Sequence, residues 1–205
     1  MTDQIQALTQ TSPLGGFEIT RNGTSLMELC SLSLVSVSPM ADGEDGFKIA
    51  IEKLFNKATP TGSMTLIDEG RFLMPSAYNQ WFFGNENYVS DPCSEALSAF
   101  GKVISKRLAM TDQSDAWAVL QLTGEMAGEA LLHLCQLDCR NHAMPVGATA
   151  RTMMAHLGVI ITRRPDACDG SACFWLFTPR SSARSFLTAV LAVPPFSGLI
   201  PLAFF

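Results

Sequence analysis

The chain reads as an α+β protein built from a duplicated strand-helix-strand-strand-helix unit, and three observations predict this. The hydrophobic period alternates between two and about 3.6 residues along each half. Landmarks of the second half recur in the first roughly 85 to 95 residues earlier, a spacing too long for a solenoid and right for an internal duplication. With 205 residues and 47% hydrophobic content, the chain can bury a substantial core. The two halves are therefore expected to form one compact body.

Residues 1–15 are polar and read as a flexible lead-in ending at Pro13 and Gly15-Gly16. The first half, residues 16–110, opens on Phe17-Glu-Ile-Thr20, Arg21-Asn22-Gly23 and Ser25-Leu-Met-Glu-Leu29. This is a hairpin pattern, because Asn-Gly supplies the two positive-φ positions of a type I′ turn. Leu32 to Val37 reads as a strand. Phe47, Ala50, Ile51, Leu54, Phe55 and Ala58 mark one face of a helix. Pro60-Thr-Gly62 precedes two β runs, 63–67 and 71–74, with a turn at Asp68-Glu-Gly70. Gln80-Trp-Phe-Phe83 is a further strand, Gly84–Pro92 a loop, and Pro92 the start of a helix with Ala96, Leu97, Phe100, Val103, Ile104 and Leu108 inward.

Thr111–Ser114 joins the halves and is too short for an independent linker. In the second half, residues 111–193, Asp115-Ala-Trp-Ala-Val-Leu-Gln-Leu122 alternates as a half-buried strand. Gly124 then opens a helical run with Ala127, Ala130, Leu131, Leu134 and Cys135 on one face. Pro145-Val-Gly147 matches Pro60-Thr-Gly62, and a β-rich run follows through His156 to Thr162. After a turn at Asp169-Gly170, Cys173-Phe-Trp-Leu-Phe177 is a short strand that parallels Gln80–Phe83. Pro179 starts a helix with Ala183, Phe186, Leu187, Val190 and Leu191 inward. Residues 194–205 form an uncharged, apolar tail with prolines at 194, 195 and 201, which prevent a continuous helix. Packing on its own domain and docking on a partner are both open for this tail.

Only 16% of residues are charged, below the roughly 25% of typical soluble domains. A chain this short of surface charge is expected to cover part of its surface with another subunit. The formal charge of −5 argues against nonspecific nucleic-acid binding, which needs clustered cations. All lysines precede residue 110, and the second half carries Arg140, Arg151, Arg163, Arg164, Arg180 and Arg184. Arginine suits partly desolvated contacts, since its planar fork binds carboxylates and carbonyls. The amino terminus lacks the basic and apolar regions of a signal peptide. Six cysteines in such a chain read as reduced thiols, so the expected location is cytoplasmic.

The motif inventory is sparse: no G-x-G-x-x-G, no P-loop and no G-x-S-x-G elbow is present. His133, Cys135, Cys139 and His142 offer four zinc-ligand types within ten residues. On a helix, however, the first two point about 200° apart, and the spacing fits no usual structural-zinc pattern. They read as thiols lining a core helix. Cys168 and Cys173 flank a turn and read as free thiols. His156 reads as a buried histidine within a β run, and Trp81 and Trp175 as core aromatics of matched strands.

Two runs carry a resemblance. Pro145-Val-Gly-Ala-Thr-Ala-Arg-Thr-Met-Met-Ala-His156 and Phe174-Trp-Leu-Phe-Thr-Pro-Arg-Ser-Ser-Ala-Arg-Ser-Phe186 resemble the gamma subunit of heterotetrameric sarcosine oxidase, and the resemblance covers Asp115–Leu191. It implies a fold similar to the folate-binding domain of the glycine-cleavage aminomethyltransferase. It also implies a non-catalytic chain that packs mainly on an alpha subunit, beside beta and delta subunits. The other subunits are then expected to carry FAD, FMN, NAD, tetrahydrofolate and zinc, with no cofactor or metal held by this chain. The Lys-Gly-Cys-Tyr-x-Gly signature of some folate-binding relatives is absent.

The leading expectation is an interaction protein that supports a complex oxidatively demethylating sarcosine to glycine. A subunit of a related N-methyl amino acid dehydrogenase is the close variant. A stand-alone folate-dependent aminomethyltransferase-like protein is the enzymatic alternative, with Asp115 or Asp138 as the carboxylate gripping a pterin. A peripheral membrane protein held by its tail is the third. No catalytic residue is expected. The candidate interface residues are Arg151, Arg180, Arg184, Phe196, Leu199, Ile200, Phe204 and Phe205.

Overall fold

The computed structural model describes residues 11–60, 62–101 and 107–197. The first hairpin is β1 (Glu18–Arg21) and β2 (Thr24–Glu28), closed by Asn22 and Gly23, both at positive φ. A first unit follows: β3 (Ser33–Pro39), α1 (Glu44–Phe55), β4 (Leu66–Asp68), β5 (Arg71–Ala77), β6 (Gln80–Asn85) and α2 (Pro92–Phe100). After β7 (Leu108–Asp112) comes the second unit: β8 (Trp117–Gly124), α3 (Ala127–Leu132), β9 (Thr149–Met154), β10 (Leu157–Arg164), β11 (Cys173–Pro179) and α4 (Ala183–Leu191). A single 3₁₀ turn, Arg180–Ser182, leads into α4. The duplication expected from the sequence is present, with three strands rather than two between the helices of each unit.

Sheet order makes the duplication explicit. One antiparallel sheet runs β4-β5-β6-β3-β7 and the other β9-β10-β11-β8-β2-β1. The first four strands of each list match position by position. The next strand of each, β7 or β2, is the one that leads into the other unit. β2 precedes β3 in the chain but pairs with β8, and β7 precedes β8 but pairs with β3. The two connections also dock in matching ways: the Leu29 N–H donates to the Val119 carbonyl at 2.9 Å, and the Gln113 N–H to the Leu34 carbonyl at 2.8 Å.

Strand alternation places three apolar layers around these two sheets. Val35, Val37, Leu73 and Phe83 face Phe47, Ile51 and Phe55 of α1 and Phe100 of α2. Leu120, Leu122, Ile161, Phe174 and Leu176 share a core with α3 and α4. Between the sheets lie Leu34, Phe72, Met74, Phe82, Val119, Ile160, Trp175 and Phe177. The architecture is four-layered, helices outside and two sheets face to face within. Phe72 stands edge-on to Trp175, with centroids 5.5 Å apart. The sheets are also stitched at one side: Met64 and Ala148 form an isolated bridge, and the Oγ1 atoms of Thr65 and Thr149 lie 2.6 Å apart. Thr162 joins this buried cluster, its Oγ1 accepting from the Thr149 hydroxyl at 2.9 Å.

Several local expectations need correction. His156 is exposed, not buried, because Ala155 and His156 (φ 48° and 68°) form the two-residue turn that splits the β-rich run into β9 and β10. The helix after Gly124 stops at Leu132, so Cys135 lies beyond it. Leu97, assigned inward, is 40% exposed, and Leu108 begins β7 instead of ending a helix. Thr111 and Asp112 are part of β7, not a joint between halves. Ala58 is exposed because α1 ends at Phe55 and Asn56 caps it in the left-handed region. Matching Trp81 to Trp175 is one residue out of register: Trp175 points between the sheets, whereas Trp81 packs near Phe47 on the helix side. A one-residue slip exchanges the faces of a strand, so Phe82 is the true counterpart. Residues 1–10, Val103, Ile104, Leu199, Ile200, Phe204 and Phe205 lie outside the described residues.

Gly84 makes the ring of Phe72 possible. A Cβ at position 84 would fall 2.1 Å from Phe72 Cζ, and Phe72 is fully buried between the sheets. Gly84→Ala is expected to cost about 1–3 kcal/mol through overpacking. For a chain of this size that lowers the thermal midpoint by roughly 2–4 °C per kcal/mol. Adding Phe72→Leu should recover part of the loss, and a scanning-calorimetry series on the two single variants and the double variant checks this.

Candidate functional site

A concave feature with mixed chemistry sits where the two unit-leading connections run side by side. It is a groove of about 460 Å³ formed by residues 11–16, the β2–β3 connection, the β7–β8 connection and Arg180. Glu28, at the end of β2, is 5% exposed. Its two carboxylate oxygens accept the Leu14 N–H at 3.0 Å and the Gly16 N–H at 2.8 Å. The buried charge is thus compensated by backbone dipoles, and it fastens the amino-terminal loop over β2. Arg180 Nη2 donates to the Thr11 carbonyl at 2.7 Å and closes the same loop from the other side. Asp115 and Tyr88 stand exposed on the rim, and the Trp117 Nε1–H has no hydrogen-bond acceptor among the described residues.

A second charged cluster lies at the end of β10. Alternation sends Arg164 between the sheets and Arg163 to the helix side. The Arg164 guanidinium stacks 3.9 Å from the centroid of Trp175 and 5.6 Å from that of Phe72, and it pairs with Glu86 from the loop after β6. Burial pulls the Arg164 pKa down, and the Glu86 carboxylate opposes that shift. Arg163 pairs with Asp166, donates to the Cys173 carbonyl at 3.1 Å and lies 5.1 Å from the centroid of Phe174. Both arginines tie the sheet ends to groups of the same chain, although Arg163 Nε and Arg164 Nη1 are buried with no hydrogen-bond acceptor among the described residues.

No known family model matches the chain, and no curated protein matches it. Solved structures do. A chain of the heterotetrameric sarcosine oxidase from Corynebacterium sp. U-96, in complex with pyrrole 2-carboxylate, superposes with a TM-score of 0.71 at 16% identity. The match covers 93% of this chain and 98% of that one. The glycine cleavage system aminomethyltransferase T from Bartonella henselae superposes with a TM-score of 0.56 at 12% identity, over 84% of this chain and 46% of that chain. The fold is aminomethyltransferase-like. Within the aminomethyltransferase-like fold, this chain spans about half the length of aminomethyltransferase T and nearly all of the sarcosine oxidase chain.

The aminomethyltransferase-like fold places the residues singled out in the sequence at separate points. Arg151 is exposed on edge strand β9, and its Nη1 lies 3.4 Å from the Ser76 carbonyl of β5. Arg180 lines the groove, and Arg184 is exposed one turn later on α4. Phe196 is not at a partner-facing surface: it is fully buried in the core under α4, and Arg21 reaches the carbonyls of Phe196 and Ser197. Asp115 reaches the groove. Asp138 instead forms two hydrogen bonds with the Arg140 side chain, at 2.8 and 2.6 Å, and lies 3.4 Å from His142. These bonds hold its carboxyl well below the usual range. His133, His142 and His156 are all exposed, and no three metal-ligating side chains converge among the described residues.

Glu28, Arg164 and Glu86 were not singled out by the sequence reading. Glu28 had a local signal, since it is the carboxylate at the end of a predicted strand, on the buried side of the alternation. Arg164 and Glu86 had none, because they meet only when the two sheets stack. Glu28→Ala is expected to leave the Leu14 and Gly16 amides without an acceptor, at a cost of about 1–3 kcal/mol. Hydrogen exchange should speed up at those two amides while β8 and β11 keep their protection. Glu28→Gln, which retains one acceptor oxygen, should fall between the two.

Proposed function

We propose that this chain is a non-catalytic, gamma-like subunit of a heterotetrameric, flavin-dependent complex that oxidatively demethylates sarcosine to glycine. The observation that carries this reading is end-to-end coverage: the fold matches 98% of one chain from a heterotetrameric sarcosine oxidase. The low charge content and the exposed cations Arg151 and Arg184 support a subunit with covered surface. In this reading the partners are alpha, beta and delta chains, with alpha the main contact, in the cytoplasm. FAD, FMN, NAD, tetrahydrofolate and zinc are held by those chains. No described helix is long and apolar enough to cross a membrane.

A stand-alone folate-dependent aminomethyltransferase-like protein is the second reading, favoured by the fold shared with aminomethyltransferase T. Its candidate residues do not fit a pterin. The Glu28 carboxylate already serves two backbone amides, Asp138 is engaged by Arg140, and Asp115 lies on an exposed rim.

Co-expression with candidate flavin-bearing and folate-binding chains from the same genome is the direct test. A stoichiometric four-chain complex that oxidises sarcosine, and that loses its integrity when this chain is omitted, is the expected result. The chain alone should show no flavin absorbance and no sarcosine oxidation. Removing one member of a buried interfacial charge pair costs about 2–5 kcal/mol, so Arg151→Ala with Arg184→Ala should weaken co-purification and make it salt-sensitive. Retention of tetrahydrofolate by the isolated chain, with no co-purifying partner, would instead favour the second reading.

A further inference from the structure

The seam where the two sheets are stitched holds a small pocket of about 230 Å³ between the end of β5 and the start of β9. Ser63, Ser76, Thr149 and Arg151 supply its polar lining, and no acidic side chain among the described residues lines it. Arg151 is exposed, and its Nη1 makes one long contact, 3.4 Å from the Ser76 carbonyl. No carboxylate of the described residues stands within ion-pair distance of this guanidinium, whereas Arg140, Arg163 and Arg164 each pair with an acid.

Two further donors belong to the same place. Ser76 is 7% exposed, yet its Oγ has no hydrogen-bond partner among the described residues. A buried hydroxyl left in that state is costly. Ser76 sits in a bulge: Pro75 pairs with Trp81 and Ala77 with Gln80, so β6 has no residue opposite it. Bulges of this kind re-aim a side chain beside a binding site. The second donor is on β9, the outermost strand of its sheet. The Thr149 N–H points away from β10 and donates to the Ser63 carbonyl at 2.8 Å. The two-residue period of an antiparallel ladder turns the Arg151 N–H toward the same outer edge.

These groups narrow the ligand. Arg151 is the only charged side chain in the lining, so it balances one negative charge, and a phosphate dianion would keep an excess. The planar guanidinium matches a carboxylate with two parallel hydrogen bonds. The other concave features differ. The groove over Glu28 carries Asp115 on its rim and has its arginine engaged by the Thr11 carbonyl. The cavity of about 720 Å³ beside Cys135 is lined by His133 and His156 and contains no buried donor without a partner among the described residues, and Cys139 lies in the core behind it at 1% exposure.

We propose that the pocket between Ser76 and Arg151 binds a monoanionic carboxylate, supplied by a small free acid or by an acidic side chain of a polypeptide. The site stands apart from the assembly reading, and its test uses this chain alone. The full-length, isotope-labelled chain is titrated with acetate at constant ionic strength, and the Arg151 side-chain and backbone N–H resonances and the Ser76 amide are followed by NMR. The expected result is a saturable shift at these groups. Arg151→Gln should weaken acetate binding roughly tenfold or more, and Arg151→Lys, which keeps the charge without the fork, should fall between. Ser76→Ala should weaken it about 2- to 10-fold; because Arg151 is exposed, its variants carry the test if the Ser76 variant does not fold. N-acetylaspartate amide, titrated in parallel, distinguishes the sources: tighter binding than acetate assigns a polypeptide side chain, and weaker binding a free acid. Shifts that never saturate, unchanged acetate affinity in Arg151→Gln, or saturation by phosphate and not by acetate would overturn the proposal.

Discussion

Each unit lends its leading strand to the other's sheet, and the rest of the molecule follows from that exchange. β2 satisfies the open edge of β8, and β7 satisfies the open edge of β3. Without its borrowed strand, each first strand would expose a row of unpaired backbone groups, and burying such groups is costly. The exchange also brings the two sheets face to face in a fixed register. The Phe72, Trp175, Phe177 and Phe82 side chains can then interdigitate in the space between them. The paired connections at Leu29 and Gln113 and the contact between Thr65 and Thr149 mark an approximately two-fold relation between the units.

That interior is apolar at its centre and charged at one end. Arg164 reaches in from β10, lies over Trp175 and meets Glu86 from the opposite sheet. Arginine can do this because its guanidinium is weakly hydrated and can stack on an aromatic face while its edge pairs with a carboxylate. At the other connection, Glu28 performs the complementary task, with backbone amides supplying the positive ends of the dipoles. In both places a buried charge ties together segments distant in sequence, which is register information that apolar packing alone supplies weakly.

The groove over Glu28 and the cavity beside Cys135 lie in different places and have different chemistry. The groove runs along the paired connections, where Glu28 and Arg180 are engaged with backbone groups and the Trp117 Nε1–H has no acceptor among the described residues. The cavity is made by the short α3 and the irregular connection after it, which keep Cys135 near the surface and Cys139 in the core. The end-to-end match to a sarcosine oxidase chain is a likeness of fold.

The sequence by itself determined the α+β class, the repeat of roughly 85 to 95 residues, the Asn22-Gly23 and Glu69-Gly70 turns, and the inward faces of α1 and α4. These are local properties: period, turn residues and helix faces are set by neighbours a few positions away. The strand exchange was not legible, because the pattern of β2 or β7 is satisfied equally by any antiparallel partner with an apolar face. The Trp81 and Trp175 comparison failed because a strand segment of uniform aromatic and aliphatic residues carries no alternation to fix its register. His156 was misread because Ala-His is an unusual pair for positive φ, and nothing around it announced a turn. Only the tertiary structure decided that Phe196 belongs to the core and that Arg164 and Glu86 meet. Each depends on where non-adjacent segments come to rest, which spacing along the chain does not encode.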